Sequence, residues 1–151
     1  VNIPNLDECF DLWNKDGFFR DIYLFETNVE DWQKFLEFNK NRRIKYSQDG
    51  QEKDIPSACD LLNNRDVSHL MLVDLAGIKI CTNFICIEEI ELYVDPLDIT
   101  GDTQHVAVLT YVAQLAKALN RTAYITPEST QNNPILTFDP SKDNWTFHRS
   151  Q

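Results

Sequence analysis

Glu88, Glu89, Glu91 and Asp95 fall within eight consecutive residues, with Tyr93 among them. Carboxylates grouped this tightly serve as acid–base pairs, as metal ligands, or as receptors for a cationic group. Glycoside cleavage needs two opposed carboxyls, but any acidic chain offers pairs, and nothing here singles one out. A metal-dependent nuclease needs carboxylates joined to a lysine at fixed short spacing. Neither the interval from Asp74 to Lys79 nor the run from Glu88 to Asp95 provides it. Cation binding fits better, because Glu89, Glu91 and Asp95 alternate with Ile90, Leu92 and Val94, the period of a strand with one buried and one wet face. On that reading the acids and Tyr93 share a face. Like charges so placed repel unless something cationic compensates them, and an aromatic among acids is an anchor for Arg or Lys. The plainer alternatives are a solvated strand face with helix-capping acids, and cross-strand packing for Tyr93. Asp98 extends the group, and Asp74 to Asp102 holds seven acids against one base, Lys79.

The other reactive residue types form no constellation. His69, His105 and His148 are far apart, and GxSxG, GxGxxG, Walker and HExxH patterns are absent. Cys9, Cys59, Cys81 and Cys86 match no disulfide framework, so reduced, mostly buried thiols are expected. The closest pair, Cys81 and Cys86, would point to opposite faces of a strand, which argues against zinc. The sequence therefore predicts no catalytic residue, no metal site, no cofactor and no enzymatic activity.

Composition narrows the partners. A net charge of −10 argues against nucleic acid, whose binding is driven by Lys and Arg neutralising phosphates, and favours a cationic partner. No apolar run approaches the roughly 20 residues of a membrane span. Val1 to Glu8 lack the basic start and apolar core of a signal peptide, although the missing initiator Met leaves upstream trimming open. A cytoplasmic protein is the expectation, and the Asn-x-Thr triplets at Asn120 and Asn144 are discounted as glycosylation sites accordingly. With 151 residues, 42% of them hydrophobic, and few Gly or Pro, the chain reads as one domain over 1–151. Its first 20 residues supply an aromatic segment, Phe10, Trp13, Phe18 and Phe19, expected to pack on the rest.

The elements that must position the acids follow from periodicity. Strands are predicted at Asp21 to Thr27, Arg43 to Ser47, two within His69 to Ile87 joined at Ala76-Gly77, one at Glu89 to Asp95 stopped by Pro96, and at Ala123 to Thr126, Ile135 to Phe138 and Trp145 to His148. Helices are predicted from Val29 to Lys40 behind an Asn28 cap, with Lys40, Arg42 and Arg43 near the exposed carbonyls of its end, and from Ile55-Pro56-Ser57 through about Asn63. The longest follows Gly101-Asp102 and runs to about Asn120, with Val106, Leu109, Val112, Ala113, Ala116 and Leu119 as its apolar face, Val108, Tyr111, Leu115 and Ala118 widening it, and Thr110, Gln114, Lys117 and Arg121 as the polar stripe. The fold class is α+β: a mainly antiparallel sheet, with a mixed one left open, carrying one long buried helix and two shorter ones.

Three stretches, ETNVEDWQKFLEF at Glu26 to Phe38, FICIEEIELYVDPLDI at Phe84 to Ile99 and LAKALNRTAYITPES at Leu115 to Ser129, resemble poorly characterised bacterial families that look like immunity proteins of polymorphic or contact-dependent toxin systems. The resemblance implies a cytosolic inhibitor that covers a cognate toxin. The partner-binding residues on this reading are Glu89, Glu91, Tyr93, Asp95 and Asp98, and the oligomeric state is left open. The alternative is a small-molecule or peptide binding domain, which an apolar cleft lined by Tyr111 and Tyr124 between the long helix and the sheet would favour.

Overall fold

In the computed structural model, which describes residues 2–9 and 11–148, nine strands and three α-helices build one α+β domain. The strands are β1 (Arg20–Phe25), β2 (Arg43–Gln48), β3 (Gln51–Lys53), β4 (His69–Leu75), β5 (Ile78–Thr82), β6 (Glu89–Val94), β7 (Ala123–Pro127), β8 (Leu136–Asp139) and β9 (Asn144–Phe147). The helices are α1 (Val29–Asn39), α2 (Ala58–Asn63) and α3 (Asp102–Leu119), with a 3-10 turn at Pro96–Asp98. All neighbours in the sheet pair antiparallel, in the order β3-β2-β4-β5-β6-β1-β7-β8-β9.

Local chemistry sets the element ends. Asn28 and Asp31 form a reciprocal capping box at the start of α1, which satisfies two otherwise unpaired amide donors. The β2–β3 and β4–β5 hairpins turn on Asp49-Gly50 and Ala76-Gly77, all four residues at positive φ, as the two-residue turns matching strand twist require. Asn120 closes α3 in the left-handed conformation, at φ 52°.

The first strand in sequence lies in the interior of the sheet. β1 lies between β6 and β7, antiparallel to both, and α3 carries the chain from one side of it to the other. Ile22, Leu24, Ile90, Leu92, Val94, Ala123 and Ile125 point to one face and join the core beneath α3, whose Val108, Leu109, Val112, Leu115, Ala116 and Leu119 are buried. Val106 and Ala118 do not belong to that buried face. Val106 is 44% exposed, because it lies on the helical stripe of Thr110, Gln114 and Lys117, and Ala118 turns outward as well.

The N-terminal segment packs only in part as the sequence predicts. Cys9, Leu12 and Trp13 are buried, whereas Phe18 and Phe19 are exposed, and Phe10 lies outside the described residues. Arg20 pins the segment by donating from Nε to the Leu12 carbonyl at 2.6 Å and pairing with Asp16 at 3.1 Å. Trp13 Nε1 donates to His105 Nδ1 at 2.9 Å, so the opposite ring nitrogen, Nε2, carries the proton and donates to the Pro4 carbonyl at 2.7 Å. His105 is thus a packing residue that ties the segment to α3.

The thiols are less buried than expected. All four are free, but only Cys9 is fully buried, and burial raises its pKa to about 11, which makes it inert. Cys86 sits in the loop after β5 rather than on a strand. The basic end of α1 also differs from expectation: Lys40 pairs with Glu37 at 3.0 Å, and Arg42 lies over the rings of Phe38 and Tyr111 instead of capping carbonyls.

Candidate functional site

The helices cover one face of the sheet, and the other face collects the residues that alternate with the core. Strand register sets Tyr23 of β1 between Glu91 of β6 and Tyr124 of β7, and Asp21 between Tyr93 and Thr126. Phe25 stands opposite Glu89 and stacks on Tyr23, with ring centroids 5.3 Å apart. β1 therefore delivers a third carboxylate, Asp21, to the pair Glu89 and Glu91.

Chain segments from both sides close over this group. Ser129 donates its backbone N–H to Asp21 Oδ2 at 2.8 Å, and Gln131 Nε2 donates to Glu89 Oε2 at 3.1 Å. Phe19 N–H reaches Glu128 Oε1 at 3.3 Å, and its ring packs on Tyr93 at 5.3 Å. These contacts bury Asp21 and Tyr23 and leave Glu89, Glu91 and Tyr93 half-buried. Tyr23 OH donates to Asp21 Oδ2 at 3.2 Å. No cation neutralises the group: none of the ion pairs among the described residues involves Asp21, Glu89 or Glu91.

The electrostatic consequence is a set of pKa values pushed upward. Burial raises Asp21, with the Glu128 charge adding to it against the lowering effect of the Ser129 and Tyr23 hydrogen bonds. Burial also raises Glu91, reinforced by the Asp21 and Glu89 charges. A carboxylate whose pKa is higher folded than unfolded adds stability at low pH and loses it as the pH rises through the raised value. Glu91→Gln is accordingly expected to raise the midpoint of unfolding at pH 7, with the gain over wild type disappearing as the pH falls through 4.5, the ordinary Glu value. Thermal unfolding of both proteins across that range checks the sign, and a pH-independent gap would contradict the account.

Beside the acids the sheet opens. β5 and β6 share one register pair, Cys81 with Tyr93, before they part around the loop 83–88. The gap is a cleft of about 60 Å³ lined by Glu89, Glu91 and Tyr93 on one side and by Trp32, Thr82 and Phe84 on the other. That is room for about two waters or one cationic side-chain tip. Thr82 Oγ1 is buried there with no hydrogen-bond partner. Phe84 takes a positive φ of 54°, a conformation that costs a bulky residue on the order of 1–3 kcal/mol. Packing against Trp32 at 5.1 Å and against His69 holds it there. Ile85, 65% exposed, adds an apolar rim.

Asp95 and Asp98 belong to the turn beyond β6 rather than to this group. Asp95 Oδ1 accepts the Leu97 N–H at 3.0 Å as the cap of the 3-10 turn, and Asp98 Oδ2 accepts the Lys79 N–H at 3.2 Å. The structure thus brings together Glu89, Glu91 and Tyr93 from the predicted set and adds Asp21, Tyr23 and Phe19. Asp21 and Tyr23 alternate with Ile22 and Leu24, a visible signal that their side chains face away from the core, but only strand pairing places them beside β6.

No group of three or more His, Cys, Asp or Glu among the described residues has metal-binding geometry, and no described helix is long and apolar enough to cross a membrane. Tyr111 and Tyr124 line no common cleft, the feature that would have favoured a small-molecule or peptide binding domain. Tyr111 is buried in the core with its hydroxyl on Asn39 Oδ1 at 2.9 Å, while Tyr124 lies on the opposite face against Phe25.

The fold and site define an α+β domain whose helix-free sheet face carries an unneutralised acidic and aromatic centre. Compared with family models, curated proteins and solved structures, the chain matches none. The resemblance to immunity families rests on the three sequence stretches alone.

Proposed function

We propose that this protein is an immunity-type inhibitor, a cytoplasmic binding protein that neutralises a cationic bacterial toxin by direct contact rather than by catalysis. The observation that carries the reading is the trio Asp21, Glu89 and Glu91, held together without a cation next to the exposed side chains of Phe19 and Ile85. An acidic centre with an apolar rim has the make-up of a protein-binding surface: aromatic anchors contribute affinity, while complementary charge speeds encounter and rejects wrong partners. Carboxylates in a low-dielectric setting destabilise the free protein and are relieved by an incoming Arg or Lys. The cleft between β5 and β6, with its unpaired Thr82 hydroxyl, offers such a side chain a place to insert. The net charge of −10 supports the same partner class, since toxins that attack nucleic acids are commonly basic.

Co-expression tests this reading. The product of the gene adjacent to this one is expected to arrest growth when expressed alone and to be harmless when this protein is present. Growth arrest that persists with both proteins present, or an adjacent product that is harmless by itself, would count against an inhibitor role.

A further inference from the structure

A second cleft lies on the other side of the sheet from the acidic centre and, unlike that centre, carries cations in its wall. It occupies about 560 Å³ between α1, β2 and the segment after β3, within the range of about 300–1,000 Å³ usual for small-molecule sites. Leu36, Ile44, Tyr46, Ile55 and Met71 supply apolar wall. Its charged lining is Lys40, Arg42 and Lys53 against Glu37 and Asp54, one cation in excess in a chain whose net charge is −10.

Arg42 is the unusual member. Its guanidinium carbon lies 4.8 Å from the Phe38 ring centroid and 5.0 Å from that of Tyr111, so two rings fix its position. Its Nε is buried with no hydrogen-bond partner, and none of the ion pairs among the described residues includes it. The other two cations are already engaged, Lys40 with Glu37 at 3.0 Å and Lys53 Nζ with Gln48 Oε1 at 2.7 Å. A guanidinium immobilised by stacking but left without an anion, at the wall of an apolar cleft, is pre-organised for the two-pronged binding of a planar or tetrahedral oxyanion. Tyr46, whose hydroxyl is occupied by His69 Nδ1 at 2.6 Å, presents its ring rather than a free polar group to the cleft.

We infer that this cleft binds a small amphipathic anion, one carboxylate, sulfonate or phosphate group on an apolar body, with Arg42 holding the acid group and Leu36, Ile44 and Met71 the body. The site is independent of the acidic face, and either can fail without the other.

The probe is 1-anilinonaphthalene-8-sulfonate, with uncharged N-phenyl-1-naphthylamine as the control for hydrophobic contact alone. Met71 is the only methionine in the chain and lines the cleft, so a ¹³C-methyl label on methionine reports occupancy at one assigned position. The sulfonate is expected to bind one per chain and shift the Met71 methyl signal. The uncharged probe should bind about 10-fold more weakly or worse, as the loss of a charge-assisted contact implies. Arg42→Gln should weaken the sulfonate by a similar factor and leave the uncharged probe unchanged, while Arg42→Lys, which keeps the charge but loses the fork, should fall between. The inference is overturned if the sulfonate leaves the Met71 signal unmoved, if both probes bind equally to wild type, or if Arg42→Gln binds the sulfonate as wild type does. Should Arg42→Gln fail to fold, the wild-type comparison of the two probes decides alone.

Discussion

Replacing Glu89 and Glu91 together by lysine is expected to weaken binding of the proposed basic partner by about 100-fold or more. Close charge pairs at a desolvated interface couple by about 1.5–7 kcal/mol each, so losing two at the lower bound removes about 3 kcal/mol, and each 1.4 kcal/mol is tenfold in affinity. The large value depends on desolvation, because the same pairs exposed to solvent would be worth about 0–1 kcal/mol. Both glutamates are half-buried beside the buried Asp21, which places them in the stronger regime. Association should slow in the variant, and the salt dependence of the wild-type rate should be lost with it. The isolated fold should survive or gain stability, since two lysines beside Asp21 replace repulsion with attraction. Binding kinetics at two ionic strengths, with thermal unfolding alongside, separate an interface effect from a folding defect.

Leu109→Ala and Leu115→Ala are each expected to cost about 2–5 kcal/mol of stability. Both side chains are fully buried where α3 meets the sheet, and truncation leaves a cavity that well-packed neighbours fill only in part. Because α3 carries the chain between the two strands that flank β1, the loss falls on the centre of the domain. A midpoint shift in urea with little change in slope is the expected signature. Val106→Ala serves as the control, and its cost should be far smaller because that side chain is exposed.

Much of this architecture is written in local pattern. The alternation from Glu89 to Val94, the Asn28 cap, the turns at Asp49-Gly50 and Ala76-Gly77 and the length of α3 all depend on residues near one another in sequence, and each appears in the structure as read. Short, polar β3 carries no apolar alternation and is found only through its pairing with β2. The site was half legible for the same reason. Glu89, Glu91 and Tyr93 share a face by strand parity alone, but Asp21 and Tyr23 reach them through pairing across some 70 residues. No local signal sets that register. Asp95 has the right parity, yet the turn at Pro96 claims its carboxylate as a cap. Spacing alone places Arg42 at the end of α1, whereas the rings that hold it come partly from α3, a long-range contact that spacing does not report.

The central claim is that the helix-free acidic face meets the partner, and hydrogen exchange of this protein with and without the purified product of the adjacent gene tests it most directly. The account predicts slowed exchange in β6 from Glu89 to Val94, in the loop 83–88 around Ile85 and in the segment 128–131 that folds over Asp21, with α1 and α2 unchanged. Protection confined to α1, α2 and the Arg42 cleft, with β6 exchanging as in the free protein, would contradict it.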